Sequence, residues 1–367
     1  MSTGRQGVRF ALIGCGVIGR LHARVISSLV PRASLVLAVD LELASAEKLA
    51  AQYGAEASTS FGATLERGDV DALAICTPSG SHAELVVGAL EAGKSVVVEK
   101  PLDIELGAAR RALEAQGRTG LTATVISQHR FDRSSQLVHR AVELSRFGQL
   151  TSATLTTAWW RSEEYYSGVA WRGTRAMDGG GALLNQAVHG VDLLLWMVGE
   201  PKEVFAFTGS LAHAGIEVED TAVAAVRFAN GALGVIHATT AAFPGVSSRL
   251  AVHGDKGSAV IEDDNLLYFY ASEPAGPPVP DYGLSGSGDA GNQAAVVLAQ
   301  DGFAGDPAAG SGRGPASRAH FKQYEDFLDA YSRGRPPSVR LSDGERALAV
   351  VLAIYESAST GRPVQLS

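Results

Sequence analysis

Val8-Arg9-Phe10-Ala11-Leu12-Ile13-Gly14-Cys15-Gly16-Val17-Ile18-Gly19 is the stretch whose reading decides the fold. Its first half, apolar with β-branched and aromatic residues, predicts a strand. The following Arg20-Leu21-His22-Ala23-Arg24-Val25-Ile26 predicts a helix. Between them, Gly14, Gly16 and Gly19 stand at G-x-G-x-x-G spacing. The first glycine permits a tight turn, the second lets a pyrophosphate approach the backbone, and the third lets the helix pack close to the strand. Unpaired N–H groups at the helix start then face the phosphates. Gly14, Cys15, Gly16, Val17, Ile18 and Gly19 are therefore the candidate dinucleotide loop.

Glycine makes up 42 of 367 residues, so this spacing is weak evidence by itself. A second strand strengthens it. Leu35-Val36-Leu37-Ala38-Val39 ends in Asp40, 21 residues beyond Gly19. An acidic side chain there accepts hydrogen bonds from an adenosine ribose and repels a 2′-phosphate. The competing use of Asp40 is a cap on the helix predicted from Leu41 to Tyr53. Leu41 is no cation that could hold a 2′-phosphate, so NAD is expected over NADP.

Strand and helix go on alternating. Asp71–Cys76 predicts a strand, Thr77-Pro78-Ser79-Gly80-Ser81-His82 a turn, and Ala83–Glu91 a helix. Ser95-Val96-Val97-Val98 is the next strand and runs directly into Glu99-Lys100-Pro101. A helix over 103–116 and a strand over Leu121–Ile126 complete a doubly wound parallel sheet, a Rossmann domain over residues 1–126. Ligands of such sheets gather at the carboxyl ends of the strands. Thr77, Pro78, His82, Glu99 and Lys100 all lie there. An ion pair would explain Lys100 as readily as chemistry would.

After Ile126 the pattern changes. A helix over Phe131–Phe147 precedes strand-like runs at 150–160, 203–210, 219–228, 232–242, 248–253 and 258–262, with turns at Asn230-Gly231 and Gly254–Gly257. Consecutive strands joined by hairpin turns predict an antiparallel sheet, hence an α+β domain over 127–367. Residues 271–317, rich in Gly, Pro, Ala and Ser, predict a surface excursion with a short strand at Ala294–Leu298. Two helices, 318–333 and 343–360, close the chain, with packing back onto the Rossmann domain an expected option.

Composition narrows the class. The chain is 46% hydrophobic, carries a net charge of −8 and has no basic run, which argues against nucleic-acid or anionic-membrane partners. Cys15 and Cys76 form no disulfide framework and fit a reducing compartment. No signal peptide and no apolar run of bilayer length is legible, so a cytoplasmic protein is expected.

A second polar constellation sits on the helix predicted over Gly181–Val198. Asn185, His189 and Asp192 fall at i, i+4 and i+7, one face of a helix otherwise lined by Leu183, Leu184, Val188, Val191, Leu194 and Leu195. Buried polar groups need partners, and a polar-lined pocket supplies them. His189 with Asp192 offers two metal ligands but no third, so no metal site is expected. Upstream, Trp159, Trp160, Arg161, Tyr165 and Tyr166 form an aromatic and basic cluster that suits a sugar ring and equally suits a sheet edge or oligomer surface. His320, opening a closing helix, is a further candidate for the site.

The Gly14–Gly19 loop, Glu99-Lys100-Pro101 and Gly179-Gly180-Gly181 with His189 and Asp192 together resemble, in order, three signatures of the glucose–fructose oxidoreductase / inositol dehydrogenase (Gfo/Idh/MocA) family. The resemblance covers nearly the whole chain. It implies a Rossmann domain followed by a domain with a large open sheet that mediates oligomer contacts, in a homodimer or homotetramer. It implies Lys100 as the catalytic lysine, a cis bond before Pro101, and His189 at the reacting hydroxyl. Trp171-Arg172 and Gln128 would lie at the cofactor, while Asp192 would bond substrate hydroxyls.

The implied reaction is hydride transfer between NAD and a secondary hydroxyl of a sugar, sugar derivative or cyclitol. Lys100 and His189 would be the acid–base groups, and Arg161, Tyr166 and His320 further substrate contacts. One position departs from the pattern. Asn185 stands where inositol dehydrogenase relatives carry an aspartate, and an amide does not accept a proton at neutral pH. An NAD-dependent glycosidase and a non-catalytic dinucleotide-binding regulator are the alternatives on this fold. Retention of both Lys100 and His189 argues against a pure binder.

Overall fold

The computed structural model describes residues 7–272, 291–300 and 315–366. Most of the 271–317 excursion lies outside the described residues. The chain forms two compact units.

The first unit begins with β1 (Val8–Ile13), α1 (Val17–Ser27), β2 (Ala33–Val39), α2 (Leu43–Tyr53), β3 (Glu56–Ser58) and α3 (Phe61–Leu65). It continues with β4 (Ala72–Ile75), α4 (His82–Glu91), β5 (Ser95–Val98), α5 (Leu106–Thr119) and β6 (Ala123–Val125). All six strands are parallel, in the order β3-β2-β1-β4-β5-β6. Strand order reverses between β1 and β4, so the crevice at their carboxyl ends is the topological switch point where ligands of such sheets bind. β4 and β5 are buried throughout, as expected of strands covered on both faces. Gly54 and Gly120 end α2 and α5 in left-handed backbone, which glycine adopts without a Cβ penalty.

Besides residues 7–128 the first unit takes in, among the described residues, 167–180 and 315–349. The helix Pro315–Arg333 supplies Tyr324 and Phe327, fully buried against Phe10 with ring centroids 5.7 and 5.9 Å away.

Among the described residues the second unit comprises 129–166, 181–272, 291–300 and 350–366. It contains α6 (Arg133–Glu143), β7 (Leu150–Ala158), α7 (Glu163–Ser167), a π-helical turn (Ala182–Ala187), α8 (Val188–Val198), β8 (Pro201–Gly209) and β9 (Thr221–Phe228). β10 (Leu233–Thr239), β11 (Ser248–Gly254), β12 (Gly257–Glu262), β13 (Asn265–Ala271) and β14 (Val364–Gln365) complete its eight-stranded sheet, ordered β13-β12-β11-β7-β10-β9-β8-β14. Only the β7–β10 pair is parallel, so the sheet is mostly antiparallel as expected. The period-two burial of β9 leaves one sheet face exposed, with Phe207, Val223, Leu233 and Val235 among its side chains.

Two local expectations change. Ala294–Gln300 is a helix, α9, and not a strand. Its Ala, Leu and Gln favour helix, and the Asn292 side chain accepts a hydrogen bond from the Ala294 N–H at its start. The predicted helix over Gly181–Val198 begins as a π turn, which shifts Asn185 relative to His189 from simple α-helical spacing. Such turns recur at functional sites. Among the described residues no helix is long and apolar enough to cross a membrane.

Candidate active site

In the first unit the three glycines meet three different constraints. A Cβ on Gly14, whose φ is +95°, would stand 2.7 Å from the Cys76 carbonyl oxygen, and one on Gly19 would stand 2.0 Å from the Gly14 carbonyl oxygen. A Cβ on Gly16 would meet nothing within 4 Å. The first and third glycines therefore serve the tight turn and the close helix, while the second faces open space in front of the α1 N-terminus. Asp40 ends β2 and accepts hydrogen bonds from the N–H groups of Cys15 (2.8 Å) and Glu42 (3.0 Å). It pins the glycine loop to the end of β2 and also serves the turn into α2.

The loops after β4 and β5 are tied together. His82, almost fully buried, places Nδ1 2.7 Å from the Pro101 carbonyl oxygen and Nε2 2.8 Å from that of Thr77. The Ser81 hydroxyl donates to the Pro78 carbonyl at 2.7 Å and lies 2.9 Å from Thr77 Oγ1. Glu99 is buried, with Oε1 2.8 Å from His22 Nε2 and Oε2 accepting the Lys100 N–H at 3.1 Å. Nδ1 of His22 lies 2.7 Å from the Tyr324 hydroxyl. A neutral ring that donates from Nε2 and accepts at Nδ1 satisfies the whole chain.

Burial would raise the Glu99 carboxyl, but the hydrogen bonds from His22 and His320 outweigh it and hold it well below the usual carboxylate range. This ionised, fully engaged carboxylate fixes the backbone from which half-buried Lys100 projects. The Lys100–Pro101 bond is cis. His320, 3% exposed, lies 3.7 Å from Glu99 Oε1 and edge-on to His22, so it belongs to this buried cluster. Trp171 and Arg172 are also in the first unit, the guanidinium 5.8 Å from the Trp171 ring centre. Gln128 is buried, and its Oε1 has no hydrogen-bond partner. Such an orphaned acceptor suits an N–H or O–H donor of a ligand.

These residues fit a dinucleotide. Gly16 leaves room for a pyrophosphate before a helix N-terminus, Asp40 offers a carboxylate at the end of β2, and Gln128 offers a buried acceptor.

In the second unit, Glu219 organises the start of the π turn. Its carboxylate accepts from the N–H groups of Gly181 (2.9 Å) and Leu183 (2.8 Å) and from the Tyr355 hydroxyl (3.0 Å). Burial raises its pKa, partly against these hydrogen bonds. A Cβ on Gly181 would stand 1.8 Å from the Glu219 carbonyl oxygen, which explains why the approach to the turn must be glycine.

Asn185 and His189 are half-buried on this segment. Asn185 Oδ1 accepts from Gln186 Nε2 at 2.8 Å, and that nitrogen also donates to the Tyr165 hydroxyl. Gln186 Oε1 accepts from Arg161 Nη2 at 2.7 Å. Gln186 thus links the aromatic cluster to Asn185, a role not foreseen in the sequence. Its only signal there is a second amide beside Asn185.

Two predicted substrate contacts meet a different environment. Asp192 is buried, and Arg130 grips both its oxygens, Nε to Oδ2 at 2.7 Å and Nη2 to Oδ1 at 2.6 Å. The Tyr166 hydroxyl is 2.8 Å from Thr240 Oγ1 inside the unit. His129 stands edge-on to His189, with ring centres 5.3 Å apart. Burial would lower its pKa, but Asp132 and Asp264, each within 2.9 Å of Nδ1, hold it up at about 10. A charged imidazole therefore flanks His189.

Comparison with known proteins accords with this arrangement. Residues 8–127 match the model of an oxidoreductase family with an NAD-binding Rossmann fold, and residues 135–260 match that of the GFO/IDH/MocA C-terminal domain. Inositol 2-dehydrogenase of Rhizobium meliloti is 27% identical over 98% of this chain and 99% of its own. The uncharacterized oxidoreductase YrbE of Bacillus subtilis is 30% identical over 69% of this chain and 73% of its own. The WlbA dehydrogenase from Bordetella pertussis, solved in complex with NADH and UDP-GlcNAcA, is 31% identical, with a TM-score of 0.83 over 99% of both chains.

Proposed function

This chain is an NAD-binding oxidoreductase of the Gfo/Idh/MocA family, and we propose that it transfers hydride between NAD and a secondary hydroxyl of a sugar, sugar derivative or cyclitol. One observation carries the reading. Lys100 projects from the carboxyl end of β5, on a backbone fixed by the buried Glu99 carboxylate, in the same unit as the glycine cradle. The names of the relatives, an inositol dehydrogenase and a dehydrogenase held with NADH and UDP-GlcNAcA, support a polyhydroxylated substrate.

NAD would be held by the Gly14–Gly19 backbone and by Asp40 at the adenosine ribose. Thr77, Pro78, Gln128, Trp171 and Arg172 would contribute towards the nicotinamide end. Bound NAD supplies a nicotinamide that takes hydride from carbon in oxidation and returns it in reduction. The residues of the chain manage the proton. The Lys100 amine takes it from the hydroxyl in oxidation and returns it in reduction, and His189 is the second acid–base group. Asn185, held by Gln186, donates its N–H to the reacting oxygen and carries no proton.

Asp192 then acts through Arg130, fixing the wall beside α8, instead of touching substrate hydroxyls. The exposed sheet face bearing Phe207, Val223, Leu233 and Val235 is assigned to the contacts of a homodimer or homotetramer. Light scattering should give a mass of at least twice 38.2 kDa, and a monomer mass would remove that assignment. The function is tested by absorbance at 340 nm with a panel of sugars, inositols and keto-sugars, each with NAD(H) and NADP(H). Turnover with at least one member and a preference for NAD are expected. Tight NAD binding with no turnover would leave only the dinucleotide-binding reading.

A further inference from the structure

Arg161 is half-buried and held from several sides. Its backbone is fixed on both sides, with its N–H donating to the Thr240 carbonyl at 2.9 Å and its own carbonyl 2.8 Å from His213 Nε2. The guanidinium lies over the rings of Trp159 and Tyr165, 5.2 and 5.3 Å from their centres. Its polar partners are neutral, the Trp160 carbonyl at 3.0 Å from Nη1 and Gln186 Oε1 at 2.7 Å from Nη2. These leave most of its N–H donors uncommitted.

Among the described residues, no carboxylate lies within ion-pair distance of Arg161. The carboxylates of the adjoining segment are spoken for. Asp220 takes the N–H groups of Leu211, Ala212 and His213, and Glu219 takes those of Gly181 and Leu183. Arg130, in the same unit, shows the ordinary arrangement, with its fork closed on Asp192. A guanidinium fixed by aromatic faces and neutral acceptors keeps the donor geometry that suits a bidentate anion.

Its location gives that anion a function. Gln186 joins Arg161 to Asn185, four residues before His189. We propose that Arg161 is an anion-binding subsite and that the substrate is an acidic sugar, its carboxylate or phosphoryl group held by the guanidinium while a ring carbinol reaches His189. This rests on the proposed function and narrows its substrate class. Trp159 and Tyr165 would flank the acid group and exclude water from it.

The test is equilibrium binding by calorimetry to the protein saturated with NADH. The probes are glucose with glucuronate and glucose 6-phosphate, and galactose with galacturonate and galactose 6-phosphate. At least one acid should bind about 10- to 100-fold more tightly than its neutral partner, the size expected for a charge-assisted bidentate contact. The better of the carboxylate and phosphate arms identifies the source of the anion. Arg161→Gln should erase the preference and Arg161→Lys should restore part of it. Equal binding of acid and neutral partners, binding of neither, or a preference that survives Arg161→Gln overturns the proposal. Because binding is read without turnover, acid-selective binding with no NADH formation would remove the dehydrogenase reading alone. NADH formation from neutral sugars without acid preference would remove the subsite alone.

Discussion

Lys100→Ala is expected to lower kcat/KM by about 10³-fold while leaving the Kd for NAD within about twofold of wild type. General acid–base groups contribute roughly 10²- to 10⁴-fold, and the position of Lys100 at the end of β5 puts it in the middle of that range. NAD affinity survives because the groups assigned to hold the dinucleotide are elsewhere. The glycine cradle uses backbone N–H groups, and Asp40 is oriented by the Cys15 and Glu42 N–H groups. The bond from the residue-100 N–H to Glu99 is made by backbone and persists in the variant. Steady-state rates and a calorimetric titration with NAD separate the two effects. Turnover within tenfold of wild type would return Lys100 to a structural role.

Asp192→Ala is expected to cost stability before it costs binding. The pair is buried on both sides, with side-chain exposures of 5% for Arg130 and 8% for Asp192. Removing the carboxylate leaves a buried guanidinium without its partner, at a cost of about 3–5 kcal/mol. For a unit of this size that corresponds to a melting temperature lower by roughly 10 °C. Arg130→Met together with Asp192→Leu removes both charges and should recover much of the loss, as it would not if Asp192 held the substrate. A melting temperature unchanged in Asp192→Ala, with KM raised tenfold or more, would restore the direct substrate role implied by the family resemblance.

The fold was legible where physical constraints are local. Gly19 packs against the Gly14 carbonyl five residues away, Gly16 leaves open space, and Asp40 closes the same unit of strand, helix and strand. The valines of β5 and the abrupt Glu99-Lys100-Pro101 mark a strand end without any distant contact. Features set by distant partners were not legible. Arg130 meets Asp192 across 62 residues, so nothing near Asp192 reveals that its oxygens are taken. His22 reaches Tyr324 across 302 residues, so the residues that tie the helix Pro315–Arg333 to the first unit are not marked near either of them.

The π turn is a third case. Helical periodicity assumes one residue spacing throughout, and an inserted wide turn at Ala182–Ala187 changes which side chains share a face. Gln186, which the helical pattern does not single out, is the link between Arg161 and Asn185. His129 gains its charge from Asp132, three residues on, and from Asp264, far along the chain. Candidate residues could be picked by type and position, whereas their partners depended on tertiary structure.

The account's central claim is hydride transfer from a sugar carbinol to NAD, and isotopic transfer tests it most directly. The best substrate of the panel, deuterated at its ring carbons, is incubated with the protein and NAD, and the NADH formed is weighed by mass spectrometry. The account predicts NADH one mass unit heavier, formed more slowly than from the undeuterated sugar. NADH that carries no deuterium, or sugar consumed with no NADH formed, would contradict it.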